Sequence, residues 1–181
     1  MDKYYLNEDE YEEGIPSITT YIDESKPFPS FVDRYFSRFY HKRTSENGDN
    51  EDHLILFHTN GVCLISIASS HVAFKKGIES INYDIGNSDR SQNQAKGKHK
   101  KGAMNLQKDT ALAIIKTKDG SEYKVFSCVG GKLLEVNEQL KEDLKKLEME
   151  GHGYVAVVLP KVANTGKEKG LLINENDYVP S

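Results

Sequence analysis

The chain has 181 residues, a formal net charge of −4 and a hydrophobic fraction of 37%, which suffices for one ordinary domain with tails and gives no reason to expect two. Its only cysteines, Cys63 and Cys128, lie in apolar segments that we predict as strands, so we expect buried free thiols and a reducing compartment. The sequence shows neither a signal-peptide pattern nor the ~18 consecutive apolar residues of a membrane span, so we expect a soluble intracellular protein without membrane partners.

The N-terminal segment is strongly acidic. Residues 1–28 carry eight acids against two lysines, a net charge of −6 that leaves +2 for the remainder of the chain. They have no periodic apolar face, so they cannot bury enough surface to offset the entropy of ordering. We predict an acidic disordered tail over 1–28, followed by a single domain over 29–181 that ends in a C-terminal extension.

The stretch PSFVDRYFSRFYH predicts an N-terminal aromatic helix over 30–40. Ser30 stands at the N-cap position and Asp33 three residues after it, an arrangement that resembles a capping box. The apolar residues recur at helical spacing and form one broad stripe: Phe31, Val32, Tyr35, Phe36, Phe39 and Tyr40. We expect this stripe to pack on the domain core; an exposed helix that binds a partner is the alternative.

Several short strands are predicted after this helix. Asn60-Gly61 and Asp119-Gly120 each separate two apolar runs and predict hairpins, the first with a type I′ turn. Alternation over 77–85 predicts a strand that begins after Ile78, and FSCVGGKLL, 126–134, predicts two strands around a tight Gly-Gly turn. Leucines at spacings of four and three predict one short amphipathic helix near 137–149.

The spacing of these elements indicates the fold class. Many short strands joined by glycine-containing turns, without strand-helix alternation, favour a mainly β fold built as a small antiparallel barrel or sandwich. We therefore expect residues 53–158 to form one closed or nearly closed flattened β-barrel.

No group of residues predicts catalysis or metal binding. The six histidines show no zinc-type spacing, and no nucleophile elbow, phosphate loop or dinucleotide fingerprint is present. His53 and His58, which bracket a predicted strand, are five residues apart and should point to opposite faces. We expect no catalytic residues, no metal and no enzyme.

The stretch RSQNQAKGKHKKG, 90–102, contains five cations and no acid: Arg90, Lys96, Lys98, Lys100 and Lys101. Its glycines and its lack of large apolar residues indicate a mobile loop that could attract an acidic protein surface or nucleic acid, without base selectivity. A plain solvated loop and an association with the acidic tail of the same chain remain open alternatives.

Part of the sequence resembles the glycine-cleavage H proteins, which carry lipoyl groups. KKGAMNLQKDTALAIIK, SCVGGKLLEVNEQL and GHGYVAVVL resemble the approach to the cofactor hairpin, the segment after it and the closing strand of that family. The resemblance covers about a third of the chain and implies a barrel-sandwich hybrid of the biotinyl-lipoyl carrier type.

That resemblance raises the question of a carrier lysine. The family's lipoylated lysine lies in an E-S-V-K-A context seven residues before the serine of its S-P-V segment, and the same count back from Ser127 reaches Gly120. The nearest lysine, Lys118, lacks that context, so we expect no cofactor, with attachment at Lys118 as the alternative.

A second resemblance spans nearly everything after the tail. PSFVDRYFSRFY, EDHLILFHTNGVCLISIASSH, GKHKKGA, KDGSEYKVFSCVGGKLLEVNE and GYVAVVLPK, in this order, are similar to the Abitram family of actin-binding transcription modulators, also called Simiate. This resemblance implies a non-enzymatic protein of nuclear speckles, cytoplasm and actin-rich cell projections that binds actin, influences filament growth and modulates transcription. It implies no particular contact residues.

Overall fold

The structure, a computed structural model, describes residues 28–86, 88–93, 95–97, 100–161, 163 and 165–180. The predicted tail over 1–28 lies outside the described residues, apart from its last position. Residues Phe31–Ser181 form one compact unit, and its fold is mainly β, as the sequence predicts. None of its described helices is long and apolar enough to cross a membrane.

The described unit contains three short α-helices and twelve strands. The helices are α1 Phe31–Tyr35, α2 Val72–Lys76 and α3 Thr165–Lys169. The strands are β1 Phe36–His41, β2 His53–His58, β3 Cys63–Ile67, β4 Ile78–Asn82, β5 Asp84–Ile85, β6 Ser88–Asp89, β7 Asn105–Leu106, β8 Ala111–Thr117, β9 Glu122–Phe126, β10 Gly131–Val136, β11 Ala156–Pro160 and β12 Ile173–Asn174. Short 3₁₀ helices cover Arg90–Gln92, Glu138–Lys141, Leu144–Glu148 and Glu175–Asp177.

The strands form open sheets rather than the single closed barrel expected over 53–158. The largest sheet has seven strands in the order β12-β1-β2-β3-β11-β10-β7, a second has the order β4-β8-β9, and β5 pairs with β6. The two larger sheets share one core, because Ile55 and Ile65 of the first belong to the same buried cluster as Ile81 and Ile115 of the second. The result is a sandwich of two sheets around one hydrophobic core.

The predicted aromatic helix over 30–40 exists only in its first half. α1 ends at Tyr35, and Phe36–His41 is a strand whose six residues all pair with β2. Aromatic residues suit strands as well as helices, so the neighbouring strand decides the conformation. Alternation then divides the predicted stripe: Phe39 packs against the main core, and Phe36 and Tyr40 pack against a smaller cluster.

Both dipeptides predicted as hairpin tips are confirmed in that position. Gly61 and Gly120 have φ values of +92° and +83°, but Asn60 and Asp119 do not have positive φ, so the expected type I′ geometry is not formed. Instead, the Asn60 Oδ1 accepts from the Val62 N–H at 3.1 Å and the Asp119 Oδ1 accepts from the Ser121 N–H at 3.0 Å. Side chains that bond their own backbone two residues later stabilise these turns.

The Gly-Gly segment is not the predicted tight turn. β9 and β10 belong to different sheets, so residues 127–130 carry the chain from one sheet to the other. Cys128 lies in this crossing rather than in a strand and has a φ of +58°. Both thiols are buried, as expected, and burial raises the pKa of Cys128 to about 12. A Cβ at Gly131 would lie 2.6 Å from the Leu159 carbonyl oxygen, so close approach of β11 requires glycine there.

Two other element boundaries differ from the sequence prediction. β4 begins at Ile78, not after it, because a register shift between Ile78 and Ser80 changes the phase of the side chains. The segment predicted as one helix near 137–149 forms two 3₁₀ helices, Glu138–Lys141 and Leu144–Glu148. The Asp143 side chain accepts from the Lys145 N–H, which starts a new helical turn instead of continuing the first.

The division of the aromatic stripe predicts unequal effects of ring truncation. Phe39→Ala removes a ring that packs against Phe57 at 5.3 Å and should lower the free energy of unfolding by about 3 kcal/mol. Tyr35→Ala truncates a side chain of a residue that is 48% exposed and should cost less than ~1 kcal/mol. Urea unfolding of both variants measures the difference; equal losses would contradict this assignment of the two faces.

Candidate functional site

The basic stretch contains a short hairpin, here called the basic hairpin, residues 96–101. Lys96 and Lys101 form an antiparallel bridge in which each N–H donates to the other's carbonyl, at 3.0 and 2.9 Å. The Lys100 N–H donates to the Gly97 carbonyl at 3.1 Å, and Lys100 has a φ of +49°. Lys98 lies outside the described residues. The predicted loop is therefore paired at its base, and Lys96 and Lys101 are exposed there.

The two chain segments that lead to the basic hairpin are held by one amide. The Asn93 Nδ2 donates to the carbonyls of Leu133 and Leu134 on β10, at 2.9 and 3.2 Å, and its Oδ1 accepts from the Met104 N–H at 2.9 Å. The Leu133 N–H donates to the Met104 carbonyl at 2.9 Å. Asn93 thus fixes both ends of the segment to β10, a role that sequence inspection did not indicate.

Arg90 is separated from the other cations of the basic stretch. It begins the 3₁₀ helix Arg90–Gln92, and its Nε donates to the Ala111 carbonyl at 3.2 Å. Its N–H also donates to the Tyr83 carbonyl at 3.0 Å. These contacts give Arg90 a structural role at the start of β8, and they place it outside the basic hairpin.

Lys118 lies in the loop between β8 and β9, where the H-protein resemblance places the cofactor hairpin. Its side chain is exposed, but its stem lies along Gly77, with Cδ 3.2 Å from the position of a Cβ there. The Lys118 N–H donates to the Gly77 carbonyl at 2.9 Å. The backbone of Lys118 is therefore hydrogen-bonded to the connection between α2 and β4, and the stem of its side chain packs against the same connection.

Three histidines far apart in sequence form a row inside the protein: His41, His53 and His71. The ring centroids of His41 and His53 are 6.5 Å apart and those of His53 and His71 are 6.3 Å apart, with the rings nearly perpendicular. His53 and His71 are fully buried. His58 is only partly buried and, as expected, does not belong to this row.

The backbone determines the tautomers of the two buried rings. The His53 Nε2 accepts from the Phe126 N–H at 2.9 Å, so its proton is on Nδ1. The His71 Nδ1 accepts from the Ala73 N–H at 3.1 Å, so its proton is on Nε2. The protonated Nε2 of His71 has no hydrogen-bond partner among the described residues. Both rings are therefore held neutral as acceptors, and burial lowers the pKa of His53 to about 3 and that of His71 to about 4.

A polar network lies next to this row. The Lys76 Nζ donates to the Tyr123 hydroxyl at 2.5 Å and to Asp49 at 3.0 Å, and the Tyr123 hydroxyl donates to Asp49 at 3.1 Å. The His71 ring meets the Tyr123 ring edge-on at 5.6 Å. The described residues contain no group of three or more His, Cys, Asp or Glu side chains arranged to hold a metal ion.

Sequence reasoning did not find the row or the network, because their members come from five separate segments. A histidine in an otherwise apolar strand, as in HLILF, was the only local signal. Its partners are determined by the pairing of β1 with β2 and by the position of α2.

Comparison with solved structures gives the class of the fold. The crystal structure of a glycine cleavage system H protein from Mycobacterium marinum matches with a TM-score of 0.51 over 78% of this chain and 93% of that chain, at 12% sequence identity. The protein thus has the barrel-sandwich fold of the lipoyl carriers, as the sequence predicts. At this identity the match speaks for the fold alone.

Comparison with curated proteins gives the family, although no family model matches the chain. Protein Abitram of Drosophila melanogaster is 43% identical over 183 residues, which cover 98% of this chain and 82% of that protein. The human protein of the same name is 42% identical, covering 83% and 85%, and that of Dictyostelium discoideum is 31% identical, covering 82% and 86%. The chain belongs to the Abitram family.

The histidine row predicts a loss of stability at mildly acidic pH. The pKa values of His53 and His71 lie below the ordinary 6.5 in the folded protein, so the unfolded chain binds more protons once the pH falls below 6.5. Stability is complete above pH 6.5 and decreases below it, by about 2 kcal/mol per histidine at pH 5. Urea unfolding between pH 7.5 and 5 measures this slope.

Two substitutions to glutamine identify the group responsible. His53→Gln keeps an acceptor for the Phe126 N–H but cannot be protonated, so the slope should fall to the part contributed by His71 and by His41, whose pKa burial also lowers. His152→Gln, at an exposed histidine, is the matched control and should leave the slope unaltered. An unchanged slope in His53→Gln would mean that other groups cause the acid sensitivity.

Proposed function

We propose that this chain is a non-enzymatic actin-binding protein that modulates actin polymerisation and filopodia dynamics and also has a nuclear role in modulating transcription. Membership in the Abitram family supports the proposal, since the sequence resemblance to that family implies these roles. The expected locations are nuclear speckles and the cytoplasm, including actin-rich projections such as lamellipodia, growth cones and dendrites.

The observation that carries the proposal is the pairing of two exposed lysines in the basic hairpin. Lys96 and Lys101 are directly opposite each other across an antiparallel bridge. Side chains at such positions lie on the same face about 5 Å apart, and like charges there are destabilising. The repulsion between the two ammonium groups is relieved when a polyanionic partner binds. Binding of such a partner is therefore favoured at this surface.

The chemistry of lysine fits the acidic surface of actin. A lysine ammonium acts as a point charge on a flexible stem, so it needs no fixed bidentate geometry on the partner. Opposite charges attract over about 8 to 10 Å at physiological salt, so such contacts mainly speed association. Monomeric and filamentous actin both present acidic surface, and pull-downs with each form show which is bound.

Neutralising the basic hairpin should slow actin association. In the variant with Lys96, Lys98, Lys100 and Lys101 changed to Gln, the association rate should fall by about tenfold at low salt and become nearly independent of salt. Stopped-flow mixing with labelled actin at several salt concentrations measures both effects.

The matched control removes the same charge elsewhere. Four exposed lysines are changed to Gln together: Lys75, Lys116, Lys118 and Lys145. This control variant has the same net charge as the test variant, so a general effect of net charge would slow actin association equally in the two variants. Equal rates for the two variants would remove the basic hairpin as the contact. A test variant that binds like the unaltered protein would have the same meaning.

The carrier fold favours one second candidate, a lipoyl or biotinyl carrier that uses Lys118. The position of this lysine in the β8–β9 loop supports it, whereas the contact of its stem with Gly77 opposes it. Intact mass of the protein, purified from cells with active lipoate and biotin ligases, should equal that of the bare chain. An added mass that disappears in Lys118→Gln would instead establish the carrier function.

A further inference from the structure

The strand β9 is an edge of its sheet. It pairs with β8 on one side, and among the described residues no strand lies on its other side. The Thr117 N–H donates to the Ser121 carbonyl at 2.9 Å, which marks 117 and 121 as a hydrogen-bonded pair. Such pairs alternate along an antiparallel ladder, so Glu122 and Lys124 direct their backbone N–H and C=O groups away from β8.

This outer edge is open at one end only. Near its C-terminal end the Phe126 N–H is already bound by the His53 ring at 2.9 Å. Near its start a cleft of about 490 Å³ separates Ser121–Tyr123 from the loop that contains Arg43 to Glu51. The backbone groups of Glu122 and Lys124 are thus the part of the edge that a further strand could reach.

The side chains of the edge are self-complementary under a twofold axis. If two copies of β9 pair antiparallel, the outward groups can form hydrogen-bonded pairs in three registers. One of these registers places Glu122 opposite Glu122 of the other copy, and another places Lys124 opposite Lys124. Both bring like charges together across the axis. The third is centred on Tyr123 and places each Glu122 opposite the Lys124 of the other copy. In this register the outward N–H and C=O groups of both residues are hydrogen-bonded in each copy.

The surroundings of Glu122 favour the same register. The cleft beside it is lined by Glu46, Asp49 and Glu51, against the cations Arg43 and Lys76. Lys76 is bound to Asp49 at 3.0 Å and Arg43 lies 3.6 Å from Glu51. Glu122 lies opposite Lys116 of β8, whose Nζ is directed to Glu79 at 3.6 Å. Glu46 and Glu122 are thus the acids on this side that an incoming lysine meets in the third register.

We propose that the β9 edge binds the β9 edge of a second copy of this chain, forming a twofold dimer with a continuous six-stranded sheet. Its four backbone hydrogen bonds supply the attraction, and the two Glu122–Lys124 pairs specify the register. A contact of this size is weak, which suits a reversible association that depends on local concentration.

Charge reversal tests the pairing. Sedimentation equilibrium of the full chain, up to ~1 mM protein because a weak dimer needs such concentrations, should show a monomer–dimer equilibrium. Glu122→Lys alone, or Lys124→Glu alone, places like charges opposite each other twice and should weaken the dimer at least about tenfold.

Restored dimerisation in a charge-swapped variant distinguishes specific pairing from a general disturbance of the surface. The double variant Glu122→Lys/Lys124→Glu restores both opposite-charge pairs, and so does an equimolar mixture of the two single variants. Both samples should dimerise like the unaltered chain. Lys124→Pro removes one outward N–H and should weaken the dimer without touching a bond to β8.

Three results would contradict the proposed dimer. A chain that stays monomeric up to ~1 mM, single variants that dimerise normally, or the absence of rescue in the double variant and the mixture would each reject the proposal. Thermal unfolding of every variant verifies that the exposed substitutions leave the fold intact. No actin is present in these measurements, so their outcome is independent of the proposed actin binding.

Discussion

The structure depends on one hydrogen bond between its two large sheets, from the Phe126 N–H of β9 to the buried ring of His53 in β2. It satisfies a part-buried edge-strand N–H; leaving such a group without a partner costs up to roughly 1–3 kcal/mol when it is fully buried. The accepting nitrogen must be unprotonated, so the ring has to remain neutral. The same bond therefore aligns the sheets and makes their contact sensitive to acid.

The chain crosses between the sheets immediately after this bond. Cys128 has a positive φ, and Gly131 passes so close to Leu159 that a side chain would not fit. Arg43 covers the same region, with its guanidinium 3.9 Å from the centre of the Phe126 ring. The segment that resembles a simple turn in the sequence is thus a tightly constrained crossing between the sheets. The strand after it, β10, binds Asn93 and Met104, which lie on the two chain segments that lead to the basic hairpin.

The C-terminal extension completes the large sheet. β12 pairs with the outer side of β1, and the Tyr178 ring stacks on that of Tyr40 at 3.7 Å. The Tyr178 hydroxyl donates to the buried Asp52 at 2.7 Å. Arg38 adds contacts to Asp33 and Glu150 at 2.6 Å and to Glu175 at 3.5 Å. The large sheet therefore ends in the two-residue strands β12 and β7, whereas the three-stranded sheet ends in the five-residue strands β4 and β9.

The amino-acid sequence alone determined the features that depend on a few neighbouring residues. Glycine after Asn60 and after Asp119 marks the two hairpin tips, since glycine adopts positive φ without strain. Short apolar runs determined the mainly β class, and the lysines of 96–101 determined where positive charge accumulates. The run of matching segments determined the family, because such matches are read directly from the residues.

Only the tertiary structure decided the features in which distant segments compete for the same backbone. The residues Phe36–His41 are compatible with a helix or a strand, and β2 decides between them by supplying hydrogen bonds along their whole length. Three further features also follow from which strands become neighbours. They are the crossing of the chain to the other sheet after Ser127, the row of His41, His53 and His71, and the open edge of β9. Local sequence carries little information about that choice, since its free energy comes from non-local pairing and from a shared core that forms only when the sheets meet.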